Sequence, residues 1–481
     1  MRRGRWIVCA TTMVVAAAVL GVRAQTRSPH NVDDFEIREL VRLARNLPPD
    51  FAADALIRLA GSPRIRDNEW RRELIDDAFG RAYGAQVPYA RASTLGVPPD
   101  SRQGAELFSY TTTLTRLTLQ VHAAQMMLAL DQEHARDLFE AIELNLTPTP
   151  CSDALVPAVD EYYSAVSLFA RTSFNDNRAD AIRFLELYLW RAHLPSEMPA
   201  VARAVLRFMP RRDEASYLEG VIRWILNKSD RDARGFSISD LDIVSRMAAL
   251  QKADHDLGVI GSHLMQALRE YLITQLKGPR CGDSLTELLM PASFNAARAL
   301  VNAETDVDPI DAAAMRPSQM LDVARIDLYW RTLDARYLHE GVLRLHGPDR
   351  MPLPMKVRRT KDWREEAERL LVDLEEWQGF HEAVEGDYFY QKAVVFTQLL
   401  DLMPPSSVRA HALRAFVDFL RHTDLNRERR ALWFAFVLRL GETASGESRD
   451  EILTALENSH HPVLTVYARM QRMMAVNGRS D

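Results

Sequence analysis

Histidine and carboxylate side chains stand at metal-binding spacings in three places along the chain. The three groups are His255 and His263 with Asp254 and Asp256, His381 with Glu385, and the adjacent pair His460 and His461. Catalytic zinc sites use three protein ligands and structural sites use four, and none of these groups supplies such a set at the known spacings. We interpret all three groups as surface or capping residues, and we predict no metal cofactor.

Three carboxylates in one loop could coordinate calcium outside the cytoplasm. They belong to Asp306, Asp308 and Asp311. The loop lacks the glycine and the distant glutamate of an EF-hand. The sequence therefore favours an acidic linker that caps the next helix.

Acidic residues stand beside aromatic residues at 160–163 and at 385–390. Two carboxylates that face a cleft could cleave a glycosidic bond. The alternative is that the tyrosines and phenylalanines form helix cores while the acids are solvated. A secreted carbohydrate-active enzyme, a glycoside hydrolase or lyase on a helical toroid, is therefore the second prediction for the function.

Other catalytic motifs are missing from the sequence. There is no Gly-x-Ser-x-Gly elbow, no Gly-x-Gly-x-x-Gly loop and no Walker loop. These motifs activate a serine nucleophile or bind nucleotide phosphates. We therefore predict no catalytic residues and no nucleotide cofactor.

Cys151 and Cys281 have similar surroundings, each after a proline-containing break and before a helix start. Two cysteines in an exported chain predict one disulfide. The bond would close a loop with 129 intervening residues. For a loop of this length the chain-entropy model gives a stabilisation of about 4–5 kcal/mol. Two free thiols, or redox chemistry at a helix N-terminus, are the alternatives.

Basic residues are concentrated in the proline-rich segment that precedes Trp363. The candidate partner contacts are Arg350, Lys356, Arg358, Arg359 and Lys361. A solvated linker is the alternative interpretation, because charged runs usually face water.

Apolar residues recur at three- and four-residue spacing through most of the chain, which predicts roughly 18–20 helices and no strand. The predicted helices span 35–46, 50–60, 67–83, 101–130, a short segment from 131, 153–173, 178–193, 197–209, 212–227, 239–251, 255–277, 283–301, 318–345, 361–376, 378–402, 405–421, 425–440, 447–458 and 461–476.

Three helix starts, at Asp50, Asp131 and Asn175, resemble the second helix of a tetratricopeptide or HEAT-like hairpin. The tetratricopeptide signature at a fixed 34-residue period is absent. We therefore predict an all-α fold of stacked antiparallel helical hairpins, an α-solenoid-like superhelix in one or two lobes, without assigning a named repeat family.

Residues 1–24 predict a secretory signal peptide, with a basic start and an apolar stretch of 16 residues from Ile7 to Val22. Such a stretch is shorter than the roughly 20 residues that span a bilayer, so we expect cleavage after Ala24. An uncleaved N-terminal anchor is the alternative. The segment has four arginines and no acid, so its removal changes the net charge from −6 to −10.

Proline-rich breaks divide the mature chain into a helical-repeat region at 25–345, a basic linker at 346–360 and a helical region at 361–481. A negative net charge argues against nucleic-acid binding, and we expect no membrane contact after cleavage. The first prediction for the function is a periplasmic or secreted noncatalytic scaffold for a protein or peptide partner. A small-ligand binding protein is the third.

Overall fold

The computed structural model describes three long ranges, 29–86, 114–208 and 330–475, together with the short segment 90–92 and with single residues and pairs between 220 and 321. The gaps inside the long ranges are 145, 147–154, 175–176, 195–196, 348, 350, 383–384, 427–428 and 443–446. The predicted signal peptide, Cys151, Arg350 and most of the helices predicted between 212 and 318 lie outside the described residues.

Sixteen helices cover most of the described residues. The first eight are α1 (Pro29–Arg45), α2 (Pro49–Ala60), α3 (Asn68–Ala82), α4 (Arg116–Met127), α5 (Gln132–Glu140), α6 (Asp160–Thr172), α7 (Arg178–Leu189) and α8 (Met198–Phe208). The other eight are α9 (Leu333–Arg344), α10 (Met355–Arg358), α11 (Lys361–Glu376), α12 (Glu385–Leu402), α13 (Ser407–His422), α14 (Arg429–Glu442), α15 (Glu447–Asn458) and α16 (Pro462–Ala475). The predicted all-α class is confirmed.

Apolar periodicity and capping explain why these segments are helical. In α11 the buried residues are Trp363, Ala367, Leu370, Leu371 and Leu374, which recur every three or four positions on one face. Side chains accept hydrogen bonds from backbone N–H groups in the first turns of several helices. These capping residues are Asp67, Thr115, Asp131, Asn177, Thr332 and Ser406.

Four strands of two or three residues separate some of these helices. They are β1 (Ala90–Ala92), β2 (Leu155–Pro157), β3 (Arg280–Cys281) and β4 (Met320–Leu321). β1 pairs antiparallel with β2, and β3 pairs parallel with β4. Segments this short cannot show an alternating pattern, so the sequence gives no signal for them, and they leave the all-α class unchanged. β2 also shortens the helix predicted at 153–173, which begins only at Asp160.

The single helix predicted at 318–345 is wrong in its first part. β4 lies inside that range, and α9 begins only at Leu333. Trp330 has a φ of 65°, in the left-handed region that helices of L-residues avoid. The side chain of Thr332 then caps a new helix.

The helices form two rows, because helices two apart in the chain also contact each other. One row contains α11, α13 and α15, and the other contains α12, α14 and α16. The second row continues from α16 to α2 and then to α4, α6 and α8. The second row is the more buried, and α14 buries every residue from Ala431 to Val437.

The beginning and the end of the described chain pack against each other. Arg430 of α14 donates to the carboxylate of Asp50 in α2 at 3.0 Å. The hydroxyl of Tyr467 in α16 donates to Asp54 at 2.5 Å, and the ring of Phe51 meets the α14 aromatic rings edge-on. The first and last hairpins are therefore neighbours, whereas the ends of an open solenoid are far apart.

Helices on the two sides of the predicted linker at 346–360 also touch. α9 contacts α11 and α12. The indole N–H of Trp363 donates to the carbonyl of Leu345 at 3.2 Å. The division of the chain into two helical regions at this linker stays a prediction.

None of the described helices is both long and apolar enough to cross a bilayer.

Candidate binding groove

A groove of about 880 Å³ lies between α13 and α15, beside the end of α11. Its walls come from residues 410–421 of α13 and residues 450–459 at and beyond α15. At 1.5 Å per residue the α13 wall is about 16 Å long. Ligand pockets usually enclose about 300–1,000 Å³, so this groove is large enough for a small ligand or a short peptide.

Helix periodicity gives the groove both apolar and polar lining. Ala410 and Ala415 of α13 line the groove and are half-buried, whereas Leu413 and Val417, which also line it, are buried. Asn458 is exposed on α15 and gives the opposite wall a hydrogen-bonding group, while the hydroxyl of Thr454, one turn before it, donates to the carbonyl of Asp450. The surface therefore suits a ligand that has both apolar and hydrogen-bonding groups.

Most charged groups of the groove are already paired within the protein. The imidazole of His411 lies 2.9 Å from a carboxylate oxygen of Glu375. The guanidinium of Arg409, which is only 10% exposed, lies 3.2 Å from Glu451. These pairs hold α13 against α11 and α15, and they leave little charge for a ligand.

Arg414 and Asp450 differ from these pairs. Both side chains are exposed and line the groove from opposite walls. In the part of the chain that the structure describes, neither the guanidinium of Arg414 nor the carboxylate of Asp450 has a hydrogen-bonding or ionic partner. Among the described residues, Arg414 and Asp450 therefore give the groove a cation and an anion that a ligand can pair with.

The loop after α15 separates the two histidines that were a candidate metal pair. His461 packs against Trp433 with ring centroids 5.3 Å apart, and burial lowers the pKa of its imidazole. His460 is exposed and has a φ of 57°. The buried hydroxyl of Ser459 donates to Leu456 and accepts the N–H of His461, which fixes this end of the groove.

The other metal candidates gain no support from the structure. His381 lies 3.0 Å from Asp334 of α9. His255, His263 and the aspartates at 306–311 lie outside the described residues. Within the described ranges, no group of three or more histidine, cysteine, aspartate or glutamate side chains could hold a metal ion.

The basic segment before α11 is only partly available to a partner. Lys356 and Arg359 are exposed, and Lys361, which is 86% exposed, pairs with Glu365 at 3.4 Å. Arg358 is half-buried and donates to the carbonyl of Leu402 at 2.7 Å, so part of its guanidinium is engaged within the fold, and the partner contact there stays a prediction. Arg350 lies outside the described residues.

Apolar side chains that the sequence did not single out lie beside these cations. Met351, Met355 and Val357 are 64%, 41% and 39% exposed. Exposed methionine and valine in a basic segment carry no periodic signal, because a four-residue helix such as α10 is too short to show one.

Aromatic residues of the segments 160–163 and 385–390, where acids stand beside rings, belong to the core. Tyr162 and Tyr163 are fully buried in α6, and Phe389 and Tyr390 are buried in α12. They pack on other rings, as Tyr162 does on Phe139 with centroids 5.4 Å apart. Because a sugar cannot stack on a buried ring, these four rings belong to the helix core, as the alternative interpretation had it, and the carbohydrate-active enzyme stays a prediction.

The predicted disulfide remains a prediction. Cys151 lies outside the described residues, and of Cys281 only the backbone, in β3, is described.

Comparisons with protein-family models, with curated proteins and with solved structures found no match to this chain. The groove and its charges are therefore the starting point for a functional proposal.

Proposed function

We propose that the protein is an exported, noncatalytic scaffold of stacked helical hairpins, which binds a short extended segment of another polypeptide between α13 and α15. The observation that carries this proposal is the groove, whose two walls come from neighbouring helices of one row. Arrays of helical hairpins use such surfaces to bind peptides. Export rests on the signal-peptide expectation.

The dimensions of the groove favour a peptide of about five residues. An extended chain advances about 3.3 Å per residue, so five residues match a wall of about 16 Å. The half-buried Ala410, Ala415 and Ala455 offer apolar contact, while the exposed Asn458 can hydrogen-bond the peptide backbone.

The free charges define the side chains that such a peptide needs. Arg414 can donate two parallel hydrogen bonds to an aspartate, a glutamate or a terminal carboxylate. Asp450 can accept from a lysine, an arginine or backbone N–H groups. We therefore expect a peptide with an acidic residue to bind best.

Fluorescence polarisation with a pool of labelled pentapeptides of varied charge tests the proposal. We expect the acidic pentapeptides of the pool to bind, and we expect Arg414→Glu to lower their affinity at least tenfold. The matched control is Arg364→Glu, which makes the same charge change on an exposed arginine of α11 outside the groove. Failure of every peptide to bind below about 1 mM, or equal effects of the two variants, would reject the proposed function.

A carbohydrate-active enzyme on a helical toroid is the second candidate. It is favoured by the contact of α16 with α1 and α2, because a closed ring of hairpins brings its first and last members together. Incubation with a panel of polysaccharides and an assay for new reducing ends separates the two candidates. Release of reducing ends by the wild-type protein would contradict the noncatalytic scaffold.

A further inference from the structure

A second groove, of about 500 Å³, lies where α1 meets α16. Phe35, Glu36 and Leu40 line it from α1, and Met473 lines it from α16. Phe35 is 72% exposed, so the groove has an open apolar edge. It depends on the packing of the chain ends and has no counterpart in a sequence motif.

The charges of the second groove repeat the pattern of the first. Glu39 pairs with Arg42 at 2.6 Å, and Arg469 pairs with Glu457 at 2.9 Å. Arg64 and Glu36 also line the groove. Among the described residues, neither the guanidinium of Arg64 nor the carboxylate of Glu36 has a partner.

One arginine of α16 joins the two grooves. Arg472 lines the second groove and lies 3.6 Å from Glu457, another of its lining residues. The same guanidinium donates to the hydroxyl of Thr454 at 2.5 Å and to the backbone carbonyl of Asp450 at 3.4 Å. Thr454 and Asp450 line the first groove. The two grooves are therefore adjacent, and both take lining residues from α15.

We propose that the two grooves are subsites of one site, which binds a single extended segment of eight to ten residues with an acidic side chain near each end. This inference rests on the proposed function. Packed helices lie about 8–10 Å apart, so a segment that crosses α15 from the first groove to the second needs about three extended residues for the crossing. Arg414 binds one acidic side chain, and Arg64 binds the other.

Connection of the two subsites by one chain raises affinity without new contacts, because the second binding event becomes intramolecular. A decapeptide should therefore bind at least tenfold more tightly than either half. Its dependence on salt should also be steeper, because two exposed ion pairs form in place of one.

The probes are labelled decapeptides with one aspartate near each end, and the pentapeptides that correspond to their two halves. We expect Arg64→Glu to lower the affinity for the decapeptide at least tenfold. The affinity for the pentapeptide that binds at Arg414 should change by less than twofold. Arg414→Glu should lower the affinity for both the decapeptide and this pentapeptide. Glu36→Lys is a second variant of the second groove, and circular dichroism shows that each variant is folded.

Several results would overturn the inference and leave the proposed function intact. They are equal affinities of the decapeptide and the pentapeptide, no effect of Arg64→Glu on the decapeptide, and a stoichiometry of two decapeptides per chain by calorimetry. If no peptide binds to the wild-type protein, the proposed function itself fails.

Discussion

Lys392 in α12 is a cation buried in an apolar part of the core, with only 4% of its surface exposed. Its ammonium donates to the carbonyls of Trp377 at 2.6 Å and Glu375 at 3.2 Å, and to the hydroxyl of Tyr388 at 3.1 Å. The two carbonyls lie at the end of α11, where a helix leaves acceptors without intrahelical partners. The lysine therefore acts as a cap that comes from another helix.

Burial lowers the pKa of Lys392 to about 8. Between that value and the pKa of about 10.4 in an unfolded chain, the unfolded state binds more protons than the folded state. The contribution of this residue to stability therefore increases as the pH rises from about 8 to 10. Urea unfolding of wild type and Lys392→Met across this range should show a difference in free energy that grows in favour of wild type.

Loss of the amine should also destabilise the variant at pH 7, by about 1–3 kcal/mol, since buried carbonyls lose their donor. Arg364→Met, at an exposed position of α11, is the control. It should change neither the free energy of unfolding at pH 7 nor its dependence on pH. A constant difference between wild type and Lys392→Met from pH 7 to 10 would show that Lys392 is solvated.

The sequence predicted which residues form helices better than it predicted which side chains are free. Arg409 and Arg414 both stand on α13, and nothing in their local sequence separates them. Arg409 meets Glu451 of α15, whereas Arg414 faces the groove. This difference depends on contacts between helices that are more than 30 residues apart in sequence, which a local pattern does not contain.

At the scale of elements, apolar periodicity was sufficient to predict the bounds of a helix that has one buried face. The predicted bounds of α11 and α15 agree with the structure, because their apolar residues recur on a single face. Short strands were missed, because β1 and β2 pair across more than 60 residues and each has only three. The grooves could not be predicted, because they form where such elements meet.

Gly341 allows α9 to pack closely on α11. A β-carbon at this position would lie 2.6 Å from a methyl carbon of Leu370. Helix propensity alone would make Gly341→Ala stabilising by about 1 kcal/mol. We expect the opposite result, a loss of about 1–3 kcal/mol in the free energy of unfolding, because the added methyl overpacks the contact.

Gly80→Ala in α3 is the matched control, because no atom lies within 4 Å of the added β-carbon. It should stabilise the protein by about 0.5–1 kcal/mol, measured by the same urea titration. If both variants stabilise the protein, then α9 and α11 are farther apart than the structure shows.

At the scale of the whole molecule two long-range connections can be tested, and the first is the disulfide that the sequence predicts between Cys151 and Cys281. An exported chain should contain one cystine and no thiol that reacts before reduction. Mass spectrometry after alkylation, with and without prior reduction, measures this directly. Two thiols that alkylate rapidly without reduction would contradict the bond.

The second connection is the packing of the chain ends, in which Asp50 and Arg430 form a buried pair. Their side chains are 0% and 13% exposed, and burial raises the pKa of Asp50 even though Arg430 opposes that shift. Asp50→Leu should cost about 3–5 kcal/mol, because it leaves the guanidinium buried without its anion. The double variant with Arg430→Met should recover part of this loss.

A double-mutant cycle measures whether these residues, 380 positions apart, touch in solution. We expect a coupling energy of about 1–3 kcal/mol, typical of residues in contact. The exposed pair Lys361 and Glu365 gives the reference cycle, for which about 0.3–0.5 kcal/mol is normal. Additive effects of Asp50→Leu and Arg430→Met would mean that α2 and α14, and with them the two ends of the described chain, do not pack against each other. The second groove would then not exist, because its walls come from α1 and α16, whereas the groove between α13 and α15 would remain.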